Sequence, residues 1–170
     1  MPASGALVGL PPVIGRDCRI VVLGSFPSAA SLSASGYYAH PRNQFWPILS
    51  AVLGTELGGL DFPARYRVLR RHRIGIWDVL GACRRPGSLD ADIRDAQAND
   101  FGELARRAPR LARVLLNGAT AGRHARVLAG LGYEVFVLPS TSPAHASRSL
   151  AQKLEWWAPA LRLGKDAGQP

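Results

Sequence analysis

Cysteine is scarce: the 170 residues hold two, Cys18 and Cys83, which lie 65 positions apart and form no Cys-x-x-Cys pair. That spacing excludes a structural zinc or iron–sulfur site. The four histidines, at 40, 72, 124 and 145, fall into no His-x-His or His-Glu-x-x-His pattern. No metal and no cofactor is therefore expected. Long apolar runs are missing too; nothing approaches the roughly 18 residues of a membrane span. Met1–Leu10 lacks a basic start and an extended apolar stretch, so no signal peptide is expected. These readings place the chain in a reducing, cytoplasmic setting, away from membranes. No Gly-x-Gly-x-x-Gly follows the first apolar run, and the Gly-x4-Gly-Lys-Ser/Thr and Gly-x-Ser-x-Gly strings are absent. A dinucleotide site, a P-loop and a serine-hydrolase elbow are thereby set aside.

Lysine is also rare. Only Lys153 and Lys165 contribute to the 21 basic residues, which oppose 12 acidic ones for a net charge of +9. An arginine excess of this size suits a polyanionic partner, and equally an arginine-rich surface with no partner at all. With 47% apolar and 19% charged residues, the composition is that of a globular protein. One domain over 1–170 is expected, with its core at about 12–162 and a frayed tail at 164–170. A chain of this length buries about 70% of its unfolded surface, enough for a core without crosslinks.

Four apolar runs read as strands: Arg19–Ser25, the weaker Ile74–Leu80, Ala112–Gly118 and Glu134–Pro139. Helical spacing marks Gln44–Leu53, Pro63–His72, Asp100–Arg107, Thr120–Leu131 and Ser147–Leu161. Gly81–Asn99 shows no period and reads as a long loop, with Arg84 and Arg85 either on DNA or, as the default, solvated. Strands alternating with helices predict an α/β fold whose mostly parallel sheet carries helices on both faces.

Ligands of such sheets bind at the carboxyl ends of the strands. Three junctions lie there: Gly24–Trp46, Asn117–Gly122 and Pro139–Arg148. In the first, Gly24-Ser-Phe-Pro-Ser28 leaves backbone N–H groups beside Ser25 and Phe26 open to a ligand. Tyr37-Tyr-Ala-His-Pro-Arg-Asn-Gln-Phe-Trp46 then offers what a flat heterocyclic base needs, a stacking face and groups that read its edge. Phe45 and Trp46 are expected in the core, whereas Tyr38, His40 and Asn43 carry polar groups that need partners. Asn117 either caps its turn or presents its amide to the crevice. The third junction packs Ser140, Thr141, Ser142 and Ser147 around two prolines. Its hydroxyls suit a phosphate, and Ser142 or Ser147 alternatively caps the following helix. Of the carboxylates, only Asp17 and Asp78 lie near strand ends; most others cluster between 90 and 103, where a solvated surface is expected.

Gly24-Ser-Phe-Pro-Ser28, Ala39-His-Pro-Arg-Asn-Gln-Phe-Trp46 and Leu138-Pro-Ser-Thr-Ser-Pro143 together resemble the uracil-DNA glycosylase superfamily, most closely its hypoxanthine-DNA (DNA-deoxyinosine) glycosylase branch. The resemblance runs over about 12–162. It implies a single three-layer α/β/α domain with a short, mostly parallel four-stranded sheet. It also implies a monomer that flips a deaminated base out of DNA and hydrolyses its N-glycosidic bond. Asn43 would be the catalytic side chain. Tyr38 would stack on the base, Asn117 would read its edge, and Ser25, Phe26 and His40 would complete the base site. Ser140 would grip a phosphate, with Thr141, Ser142, His145 and Arg148 also on DNA and His145 as a wedge. Two departures stand out. Phe26 replaces the asparagine of the mismatch-type Gly-x-Asn-Pro motif and the aspartate of the uracil-specific branch, and Leu138 replaces a histidine. Both shift weight from uracil to hypoxanthine and onto Asn43. A lyase would need an amine nucleophile; both lysines lie late in the chain, so a monofunctional enzyme is expected. A uracil-preferring enzyme and a non-catalytic binder of damaged DNA are the alternatives.

Overall fold

The computed structural model describes residues 5–163. In chain order its elements are β1 (Leu7–Val8), β2 (Ile20–Gly24), α1 (Ala29–Ala34), α2 (Phe45–Leu53), α3 (Phe62–Arg71), β3 (Ile74–Asp78) and β4 (Leu80–Arg84). A single 3-10 turn at Asp90–Asp92 leads into β5 (Arg94–Ala98). Then come α4 (Gly102–Arg107), β6 (Arg113–Asn117), α5 (Ala119–Gly122), α6 (Ala125–Gly130), β7 (Glu134–Leu138) and α7 (Leu150–Ala160). The main sheet is four-stranded and wholly parallel, in the order β3-β2-β6-β7.

Central β2 reads Ile-Val-Val-Leu-Gly without a polar residue because both of its faces are covered, as parallel strands require. The pleat sends Ile20 and Val22 to one face, where they meet Trp46, Leu49, Leu69 and Trp157 of α2, α3 and α7. Val21 and Leu23 point to the other face, toward Leu104, Ala121 and Leu128 of α4, α5 and α6. Helices therefore form a layer on each side, as expected. Phe45 and Trp46 are buried in the first layer, so their aromatic bulk belongs to the core. Each contributes about 2–3 kcal/mol by burial. The predicted tail at 164–170 lies outside the described residues.

Three expectations are corrected. Gly81–Asn99 is no loop: β4 and β5 pair antiparallel, and β1 adds to β4, making a second, three-stranded sheet. Its outer strand, Arg-Asp-Ala-Gln-Ala, is exposed at every position, so backbone pairing rather than side-chain burial makes it a strand. Thr120–Leu131 is two short helices separated at Arg123 and His124. The first presses on β7 at Gly122, where an added Cβ would come within 2.8 Å of Val137 Cγ1. Helix α7 starts later than Ser147 and is capped by Ser149, whose hydroxyl accepts from Gln152 N while Gln152 Oε1 accepts from Ser149 N.

Candidate active site

A crevice of about 790 Å³ opens at the carboxyl ends of β2, β3 and β6. Residues of all three predicted junctions line it, among them Ser25, Phe26, Tyr38, Asn43, Asn117 and Ser140. The strand order causes this convergence, because each parallel strand delivers its following loop to the same edge of the sheet.

Hydrogen bonds hold the aromatic loop from behind. Trp46 Nε1 donates to Tyr37 O (2.9 Å), the Tyr37 hydroxyl donates to Leu10 O and Pro11 O, and Ala39 N donates to Ser31 Oγ. Tyr38 sits at a left-handed φ of 56° and stacks on Phe45, with centroids 4.1 Å apart. Asn43 lines the crevice and accepts from Phe45 N through Oδ1 at 2.9 Å. Its amide orientation is thereby set, and the Nδ2 donors and the second Oδ1 lone pair are left for a ligand. His40 is outside the crevice lining and accepts from Arg42 N through Nδ1.

Asn117 reaches the crevice wall at the end of β6 and closes a two-way latch. Its Nδ2 donates to Thr141 Oγ1, and its Oδ1 accepts from Thr141 N, both at 3.0 Å. This places the Thr141 side chain, 1% exposed, behind the loop surface. Gln44 N donates to Thr141 O, which ties the two motif segments together. Ser140 and Ser142 also line the crevice, each accepting from a backbone N–H two residues ahead in the loop. His145 is exposed at the rim, and its carbonyl accepts from the buried Lys153 ammonium at 3.0 Å. Arg148 turns away from the crevice lining, with its guanidinium 5.7 Å from the Trp156 ring.

The facing wall holds the residues that sequence reasoning missed. Arg85 is buried, not solvated: it donates to Pro27 O at 2.6 Å and Gly87 O at 2.7 Å and lies 5.3 Å from the Phe26 ring. Arg84, on the outside, faces Asp95 at 3.6 Å. Asp90 is likewise no mere surface carboxylate, for it lines the crevice and accepts from Ser25 Oγ at 2.7 Å. Asp78, 4% exposed, stands at the end of β3. Burial, assisted by the Asp90 charge and opposed by Arg85, pushes its carboxyl up to about 7. Asp78 had a visible signal, a lone acid ending an apolar run. Asp90 had none, because the hairpin that carries it shows no hydrophobic period.

Fold and crevice define a doubly layered parallel-sheet protein whose ligand site sits at the strand carboxyl ends. Residues 11–161 match the profile of the uracil DNA glycosylase superfamily. A hypoxanthine DNA glycosylase of Methanosarcina barkeri is 39% identical over 154 residues, covering 91% of this chain and 97% of that protein. Another, from Methanosarcina acetivorans, is 38% identical and covers 88% of this chain and 95% of that one. A solution NMR structure from Methanosarcina acetivorans, provisionally described as a uracil DNA glycosylase, superposes with a TM-score of 0.82 at 37% identity. It covers 90% of this chain and 95% of that one. The chain belongs to the uracil DNA glycosylase superfamily and is a DNA N-glycosylase.

Proposed function

We propose that the protein is a monofunctional glycosylase of base-excision repair that removes hypoxanthine from deoxyinosine in DNA and leaves an abasic site. The observation that carries this reading is the pairing of Asn43, set at the crevice with its amide oriented by Phe45 N, with Phe26, buried beneath the Arg85 guanidinium. The position that holds water through a polar side chain in the mismatch-type and uracil-specific branches is apolar here. The task of positioning water passes to the Asn43 amide. Water oxygen bonds to C1′, the C1′–N9 electron pair leaves with the base, and the proton lost by water ends on the departing ring. Developing cationic character on the sugar is stabilised by the neighbouring DNA phosphates, so a fixed amide suffices without a strong base. Lys153 lends no free amine for lyase chemistry, because it is 2% exposed and bonded to His145 O.

The relatives named hypoxanthine DNA glycosylase support the same substrate. Base contacts are assigned to Ser25, Phe26, Tyr38 and Asn117, and DNA-backbone contacts to Ser140, Ser142 and His145; His40 outside the crevice lining, Thr141 behind the loop surface and Arg148 against Trp156 are not among them. Two free, buried thiols suit a cytoplasmic setting. No described helix is long and apolar enough to cross a membrane.

Labelled duplexes carrying inosine, uracil or xanthine, incubated with the protein and then treated with alkali, test this reading. Breaks at inosine that need the alkali step are expected. Breaks mainly at uracil would reassign the substrate, and tight binding without breaks would make the protein a damaged-DNA binder.

A further inference from the structure

Two polar atoms on the crevice floor make no well-formed hydrogen bond, although the Asn117 side chain acts on one of them, the Tyr38 hydroxyl. Asp78 Oδ2 and Tyr38 Oη are both shielded from solvent and both without a partner in hydrogen-bond geometry. They flank Gly24: a Cβ built there would come within 2.6 Å of Asp78 Oδ1 and 2.9 Å of Tyr38 Oη. The carboxyl and the hydroxyl thus converge on one spot above the end of β2, in a crevice lined by both motif segments. Leaving a buried polar group unpaired is destabilising, so a convergent pair of them marks where a ligand supplies the partners.

We propose that Asp78 and Tyr38 together hold the edge of the flipped base on which a ring carbonyl stands next to a ring N–H, the lactam edge of hypoxanthine. This assignment rests on the glycosylase reading above. The Asp78 carboxyl donates its O–H to the carbonyl and accepts from the N–H, while the Tyr38 hydroxyl donates a second bond to the same carbonyl, an edge contact that replaces the stacking role the resemblance implies, since the ring is already stacked on Phe45. Adenine carries no carbonyl at this edge, so the pair has no oxygen on which to stabilise charge there; what the two groups favour is a base whose departing ring gathers charge on a carbonyl. The charged groups acting on Asp78 are Asp90, from the 3-10 turn, and Arg85, from the β4–β5 hairpin. Tyr37 and Tyr38, from the aromatic loop, are phenols held neutral by burial. Burial and the Asp90 anion outweigh Arg85 and keep the Asp78 proton in place near neutral pH. A neutral acid is also the useful form. As the C1′–N9 pair moves onto the ring, negative charge grows at the carbonyl, which a donor stabilises and a carboxylate would repel.

The experiment is single-turnover cleavage of an inosine duplex from pH 5.5 to 9, alongside binding of free hypoxanthine over the same range. Wild type is expected to lose rate, about tenfold per pH unit, above a midpoint near or beyond 7. Asp78→Asn should be slower by roughly 10–100-fold and should lack that limb. Asp90→Asn should move the midpoint down, and Tyr38→Phe should slow inosine cleavage and weaken hypoxanthine binding by roughly 3–10-fold. His124 and His145 also line the crevice. An unchanged rate and limb in Asp78→Asn would therefore assign the limb to them and overturn the proposal. Should Asp78→Asn fail to fold, a fixed midpoint in Asp90→Asn with undiminished cleavage and hypoxanthine binding in Tyr38→Phe would overturn it instead. Wild type that cuts no inosine duplex defeats the glycosylase reading alone. Free hypoxanthine binding then decides: loss in the variants upholds the base-holding pair, and equal binding in Asp78→Asn ends it.

Discussion

The two walls of the crevice are built on different principles. One consists of the aromatic loop and the Ser-Thr-Ser loop, pinned by backbone-directed bonds from Trp46, Tyr37, Asn117 and the Trp157 indole, which donates to Pro139 O. The other is the β4–β5 hairpin, whose outer strand is fully exposed and whose tip is tied by three side chains. Arg85 reaches Pro27 O, Ser88 Oγ accepts from Ala29 N, and Asp90 accepts from Ser25 Oγ. The first wall supplies a rigid amide. The second supplies charge, and through Asp90 it sets the proton affinity of Asp78 on the floor between them. Water placement and proton affinity are thus assigned to separate structures that evolution can alter independently.

Substitutions that act on one wall alone test this division. The largest effect is expected from Asn43→Ala, which should slow inosine cleavage by roughly 10²–10³-fold. Duplex affinity measured by anisotropy should change less than about threefold, because phosphate contacts dominate affinity. A matching loss of affinity would mean that Asn43 serves binding and not chemistry.

Next comes the pH dependence of stability. An unfolded Asp78 releases its proton near the ordinary 3.8, whereas the folded group keeps it to about 7. Between those values the native state binds more protons, so stability falls as pH rises from about 4 to about 7 and is level beyond. Three pH units of separation correspond to at most about 4 kcal/mol. Asp78→Asn should melt with wild type at pH 4 and above it at pH 8. Coincident melting at both pH values would show that the floor is wetter than its burial indicates.

The smallest effect is expected from Arg85→Ala. It removes two hydrogen bonds and the contact with Phe26, for a loss of about 2–3 kcal/mol. A lower urea midpoint with unchanged slope would report it. A cleavage defect as deep as that of Asn43→Ala would break the comparison, making the hairpin part of the chemistry.

The sequence by itself determined the main sheet, its helical layers and the motif wall. Buried parallel strands must be continuous apolar runs, and motif segments that follow such strands must gather at one edge. Phe45 was legible as core by its helical spacing, Trp46 by its place at the helix start, and Asn43 by the string around it. Only the tertiary structure decided the second wall. Arg94–Ala98 buries nothing, so its pairing with β4 leaves no hydrophobic period to read. Tertiary structure alone likewise turned Arg85 inward and brought Asp90 onto Ser25, 65 residues away in the chain. It also closed water off from Asp78. Proton affinity depends on which charges and how much solvent surround a group in space, and no local spacing encodes that.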